Sequence, residues 1–386
     1  MKVKKFYVII MVLFLIACGG NSTDSLDLNS SGSGGNTGNN TGDNSGSGSG
    51  TNSGGNNSDN SDSNATSQDW LIPISEVKDG GPGKDGIPSL DFPKFLSIGE
   101  FGADYLNDNE LVVGIVKDNE ARAYPHKILD WHEIVNDNLN EKFITINYCP
   151  LTGTAFGWRS NSRGENTTFG VSGLLYNTNL ILYDRNTDSN WSQLKLKCVN
   201  GNQIGHEPVL ESVVETNWGT WKKLYPNTKI LSLKTGFSRN YDNYPYGDYK
   251  TNNDFFIFTA SPSNNALPNK ERIYAIIGDG VSKVYQFQKF TNGKVINELF
   301  NGKEYLVVGN ENLIYSFELN ESQLDLAFEY DFNNSEVFFK DNEGNKWSVF
   351  GKAIEGPRTG EQLKASKSVV SYWFAIAAFY PNPEIY

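Results

Sequence analysis

From residue 69 onward the chain is built of short runs rich in Val, Ile, Tyr and Phe, broken by Asn-Gly, Asp-Gly and Pro. That punctuation is the signature of antiparallel strands joined by tight turns. Asn301-Gly302 and Asn292-Gly293 read as hairpin turns, because a two-residue type I′ turn needs positive φ at both central positions. One helix stands out over residues 216–224. Trp218, Trp221 and Leu224 fall on one face, Thr216 is its candidate cap, and Pro226 lies just past its end. The expected fold is mainly β, with a few short helices.

The pattern also repeats. Shifting the chain by 161 residues lays 113–118 on 274–279, Tyr124 on Tyr285, Ile134-Val135-Asn136 on Val295-Ile296-Asn297, and Phe156 on Phe317. At slightly smaller shifts, Trp191 meets Trp347, and Trp218 with Tyr225-Pro226-Asn227 meets Trp373 with Tyr380-Pro381-Asn382. We read two diverged copies of one antiparallel β-meander unit, 111–232 and 272–386, packed as one body within a globular region 68–386. In the second copy, 283–290, 294–299 and 303–308 read as three successive antiparallel strands. Transferred back, 121–128, 133–135 and 142–147 form the same meander. His132 then opens its second strand and Cys149 follows its third, at the same end of the sheet.

The N-terminus supplies an address. Lys2, Lys4 and Lys5 precede an apolar run, 6–17, which is too short to span a bilayer and suits a signal-peptide core. Leu15-Ile16-Ala17-Cys18 has the pattern of a bacterial lipobox, making 1–17 a signal peptide and Cys18 the lipidated first residue of the mature chain. Several acyl chains anchor far more firmly than one. No Asp follows Cys18, which favours an outer-membrane site in a cell that has one, facing the periplasm or the surface. Residues 18–67 hold little but Gly, Ser, Asn, Thr and Asp. Such a tract cannot bury enough apolar surface to order itself. As a flexible tether it would reach roughly 40 Å.

Charge narrows the partners. The full chain has 33 basic and 45 acidic residues, a formal −12. Cleavage removes three lysines and takes the mature chain to −15, so anionic lipid heads repel it and lipid alone would hold it. Nucleic acid, which needs a basic face, is excluded as a partner. Cys149 and Cys198 are the cysteines left after Cys18, and outside the cytosol they could pair.

Candidate chemistry sits where the two copies differ. His132, Glu133, Cys149 and Pro150 are matched by Gly293, Lys294, Asn310 and Glu311. Polar groups on loop ends of a rigid scaffold are the usual layout of a site. A histidine near a cysteine suits a thiolate nucleophile made by imidazole, or a soft or borderline metal such as copper or zinc. Cys149, His132 and Glu133 are the catalytic candidates, with Glu133 orienting the imidazole. Cys149, His132 and His126 are the metal candidates. No CxxC or HExxH supports either reading, and a buried structural cysteine beside a hydrogen-bonded turn histidine is the plain alternative. Thiol or metal chemistry on a small molecule leads. A non-catalytic envelope module, for instance one that binds glycans through its many aromatics, and a purely structural lipoprotein are the other readings.

The stretch from about residue 80 to the end resembles a family known as domain of unknown function 3179. The resemblance is carried by Gly81-Pro82-Gly83-Lys84-Asp85-Gly86-Ile87, Ala121-Arg122-Ala123-Tyr124-Pro125, Trp131-His132-Glu133-Ile134-Val135-Asn136-Asp137, Tyr148-Cys149-Pro150-Leu151-Thr152-Gly153-Thr154, the run 169–176, and Asp184 with Trp191-Ser192-Gln193. It implies that His132, Glu133 and Cys149 belong to the family pattern. It implies no activity. Some relatives carry a second cysteine where Thr152 stands here, a departure that weakens a two-cysteine metal or redox mechanism. The family also includes lipoproteins, in keeping with Cys18.

Overall fold

The computed structural model describes residues 70–162 and 165–386. The segments 1–17 and 18–67, read above as a signal peptide and, from Cys18, a tether, therefore lie outside the described residues. All described residues fall in one unit, 64–386.

Two-residue turns set the registers. Strand β1 (Leu111–Lys117) turns back through Asp118 and Asn119 into β2 (Glu120–Pro125), with Lys117 opposite Glu120. Both turn residues have positive φ, 48° and 66°, so this is a hairpin of the primed kind made without glycine. The chain then forms helix α1 (His126–His132). Expectation and structure part here, because the run 121–128 is not one strand. Pro125, extended at φ −67°, stands at the N-cap, and Ile128 and Leu129 are buried on the helix. His132 is accordingly the last residue of α1 and opens no strand.

Strands β3 (Ile134–Leu139), β4 (Lys142–Cys149) and β5 (Thr154–Arg159) follow as an antiparallel meander. Four further strands, β6 (Phe169–Tyr176), β7 (Asn179–Asp184), β8 (Asn190–Ser192) and β9 (Lys197–Asn200), make a third sheet, bordered by Val77–Asp79. Strand β10 (Val214–Asn217) returns to pair with β1 and leads into helix α2 (Trp218–Leu224). Asn217, not Thr216, caps that helix by accepting from the Thr220 N–H. Thr216 stays in the strand and donates its hydroxyl to the Asn312 carbonyl. Gly114 of β1 is required by this packing, since a Cβ there would lie 2.4 Å from the Trp221 ring.

In the second half, β11 (Arg272–Ile277) pairs with β12 (Ser282–Gln286), and a short 3-10 turn, Phe287–Phe290, leads to the meander β13 (Lys294–Phe300), β14 (Lys303–Asn310) and β15 (Leu313–Glu318). Strand β12 belongs to a different sheet from β13, so the three-strand reading of 283–308 is corrected. Asn292-Gly293 turns the chain from the 3-10 segment into β13, while Asn301-Gly302 closes the β13–β14 hairpin. Strands β16 (Val337–Asp341) and β17 (Lys346–Ser348) pair in a further sheet. Strand β18 (Ser368–Tyr372) pairs with β11 and leads into helix α3 (Trp373–Phe379). The fold is thus mostly β, in several antiparallel sheets.

One hydrophobic cluster joins Cys149, Trp158 and Trp191 of the first half to Ile273, Trp373 and Phe374 of the second. Another joins Trp221 to Phe317 and Trp347. No helix among the described residues is long and apolar enough to cross a membrane.

Candidate functional site

Glu133 ends α1. Its amide donates to the Leu129 carbonyl, 2.8 Å away, and its carbonyl accepts from the Tyr148 amide at 2.7 Å, locking the helix end to β4. Its backbone sits at φ 58°, ψ −33°. A non-glycine residue with a long side chain rarely adopts positive φ, and such strain persists where the surroundings enforce it, often at functional sites. The side chain is buried, and its carboxylate accepts a long hydrogen bond, 3.4 Å, from the Tyr246 hydroxyl. Burial pushes its pKa up to about 8; Tyr246 opposes the shift and nearby Asp130 adds to it. Glu133 is therefore mostly a neutral acid at pH 7.

Cys149 ends β4, paired with Thr154 across the turn that follows. The Thr152 and Gly153 amides both donate to its carbonyl. Below the turn lies a buried amide–hydroxyl network. Asn179 Nδ2 donates to Thr152, Thr154 and Gln193, Thr154 donates to Gln193 Oε1 at 2.6 Å, and Gln193 Nε2 returns to Asn147. Gly153, at φ 62°, passes so close to Tyr372 that a Cβ would lie 3.1 Å from the ring. The thiol itself is buried. Burial, reinforced by Glu133, pushes its pKa up to about 11, against the Thr152 and Leu180 donors that favour the thiolate.

The two histidines are committed elsewhere. His132 is fully buried, with Nδ1 2.8 Å from the Pro88 carbonyl and Nε2 2.7 Å from the Tyr241 hydroxyl. A carbonyl only accepts, so Nδ1 carries the proton and Nε2 accepts from Tyr241. Burial depresses its pKa to about 4, despite the favourable Pro88 contact. The Glu133 carboxylate bonds Tyr246, and the partners that orient the imidazole are Pro88 and Tyr241. His126 turns to Glu215, with Nε2 3.4 Å from Oε2. The proposed metal set of Cys149, His132 and His126 does not assemble. Among the described residues no group of three or more His, Cys, Asp or Glu side chains is placed to hold a metal ion. Cys198 lies in β9, and both it and Cys149 are free, buried thiols.

What covers the site was not foreseen. Residues 232–271 contain no helix or strand, yet they supply Tyr241 to His132, Tyr246 to Glu133, Lys250 to Asp130, Tyr244 to the Pro150 carbonyl and Tyr249 to the Leu151 carbonyl. Loops of this length in compact domains are commonly functional. The tyrosine spacing, 241, 244, 246 and 249, was the available signal. Together with the glycine-rich loop at 80–86, this segment borders an open cavity of about 300 Å³. Ile87, Leu151, Val171, Leu175, Leu180 and Phe258 make its walls apolar, and Glu133 and Tyr246 are its polar groups. That is the low end of the size range of small-ligand pockets, and an apolar lining with a few placed polar groups is their usual character.

Other candidates prove structural. Asp184 accepts from the Thr187 amide and from Trp191 Nε1, as Asp341 accepts from the Asn345 amide and Trp347 Nε1. Six of the eight tryptophans, 158, 191, 218, 221, 347 and 373, are core residues.

No curated protein and no solved structure matches the chain. A family model described as "Protein of unknown function (DUF3179)" matches residues 84–383. The match takes in α1, the Cys149 turn, the tyrosine-bearing segment and both halves of the fold, so the chain belongs to the DUF3179 family.

Proposed function

We propose that this is a bacterial envelope lipoprotein, anchored through lipid on Cys18, whose domain performs thiol chemistry on a small, largely apolar molecule, with Cys149 as nucleophile and Glu133 as its acid–base partner. The observation that carries the reading is the buried, strained Glu133, which lines an apolar cavity and whose charge raises the proton affinity of Cys149. Proton affinities decide between the two candidate bases. Moving the Cys149 proton (about 11) to ionised Glu133 (about 8) costs about 4 kcal/mol, and ionising Glu133 at pH 7 adds about 1, while moving it to His132 (about 4) costs about 10. His132 Nε2 is also occupied by Tyr241. We therefore place His132 as a support for the covering segment, and Glu133 in the role first assigned to the imidazole.

The two-copy reading of 111–232 and 272–386 belongs to the same proposal. It is supported by the shared pairing of β1 with β2 and β10, and of β11 with β12 and β18. Copy one would then carry the site and copy two the scaffold.

The test is alkylation of Cys149 by N-ethylmaleimide in the full chain carrying Cys198→Ala. Sulfur adds to the maleimide double bond, and the thiol proton passes through Glu133 to the adjacent carbon. Glu133→Gln should slow the reaction at least tenfold, and His132→Phe should leave it within a few-fold. Equal rates in wild type and Glu133→Gln would overturn the assignment.

A further inference from the structure

Helix α1 carries a second set of ionisable groups. His126 and Asp130 are spaced i, i+4, which puts them on one face. Glu215 of β10 faces the N-terminal end of that row, with its Oε2 3.4 Å from His126 Nε2. His126, Asp130 and Glu215 are each more than nine-tenths buried.

Each carboxylate uses one oxygen and leaves the other without a partner. Asp130 Oδ2 accepts from Lys250 at 2.7 Å, and Glu215 Oε1 accepts from Arg272. Asp130 Oδ1, Glu215 Oε2 and His126 Nε2 are all inaccessible and make no hydrogen bond within the protein. The His126–Glu215 approach is close but misaligned, so it is an attraction and not a bond. Asp130 lies one helical turn from His126 on the same face, which brings its side chain to the His126–Glu215 contact. Buried polar atoms without protein partners are normally satisfied by ordered water.

We propose that His126, Asp130 and Glu215 form a buried binding site for a single water molecule. Its chemistry fits the groups. Lys250 and Arg272 already balance the two carboxylates, so the site calls for a neutral occupant. Two acceptor oxygens and one imidazole N–H call for a molecule with two donors and one acceptor. Water supplies them, donating to Asp130 Oδ1 and Glu215 Oε2 and accepting from His126, within the usual three bonds of a buried water. The bound water ties α1 to β10 and fixes Asp130 one turn from Glu133. The site stands independently of any chemistry at Cys149.

Oxygen-17 magnetic relaxation dispersion on the full chain counts long-lived internal waters. His126→Phe keeps a ring beside Tyr148, 4.5 Å away in the wild type, and removes the donor. It should lower the count by one. Should that variant fail to fold, Glu215→Met, with a similar length and no acceptor oxygen, serves the same purpose. An unchanged count in a folded variant overturns the proposal, as does a wild-type crystal structure in which these three atoms bond only to protein.

Discussion

Replacing Glu133 with Gln should change how stability depends on pH. The glutamate titrates near 4.5 when unfolded and about 8 in the fold, because burial disfavours its charged form. Between those values the folded state holds a proton that the unfolded state has released, so stability falls as pH rises. The contribution of the neutral acid is intact below about pH 4.5 and is lost as pH climbs through about 8. The difference of about 3.5 units corresponds to a ceiling of about 5 kcal/mol. Local relaxation and water entry should reduce that to a few kcal/mol. Gln cannot ionise, yet its amide oxygen can still accept from Tyr246, so the variant should lose little at low pH. Urea denaturation of both proteins at pH 5, 7 and 9 isolates the effect, because the titrations of Asp130 and His132 are common to both and largely cancel. The stability of Glu133→Gln relative to wild type should rise by at least about 2 kcal/mol from pH 5 to pH 9. Parallel profiles would show that Glu133 is hydrated and ionised, and the acid–base role proposed for it would fall.

Lys270 offers a test of opposite sign. Its Nζ has no hydrogen-bond partner and lies 3.2 Å from the centre of the Tyr249 ring, with Phe256, Tyr372 and Phe374 around it. Burial lowers its pKa from 10.5 to about 7, so its cost is full below about pH 7 and disappears above about pH 10.5. The ring faces return part of the ceiling of about 5 kcal/mol by cation–π attraction. Lys270→Met should therefore stabilise the fold by about 2 kcal/mol at pH 6 and by nothing at pH 10.5, read from urea midpoints; a destabilised variant at pH 6 would mean that the rings outweigh the desolvation. If lipid on Cys18 is the anchor, as proposed, exchanging residues 1–18 for a cleavable secretory signal should move the protein from the membrane pellet to the soluble fraction, since the remaining chain is acidic and repelled by anionic lipid; retention in the pellet would refute lipid as the sole anchor.

Local pattern carried much of the fold into the sequence. Strand character, the Asn301-Gly302 hairpin and helix α2 follow from alternation, turn chemistry and helical spacing, which act between near neighbours. The Cys149 turn and Glu133 were legible as oddities, because polar loop residues replaced ordinary turn residues. Helix α1 was not: 121–128 alternates like a strand, and only packing of Ile128 and Leu129 in the core, with Pro125 at the cap, turns its last three residues into the start of a helix. The primed turns at Asp118-Asn119 and Asn140-Glu141 lack glycine and carried no signal.

Sequence by itself thus determined the class of fold and the sign of the charge, and marked the loop ends on which the proposed chemistry rests. Tertiary structure decided the surroundings of those groups. His132 lost its free nitrogen to Tyr241, which lies more than a hundred positions away, and Glu133 gained its proton because the fold buries it. A side chain's proton affinity depends on what displaces water from it. That displacement is made by distant residues, and no local pattern contains it.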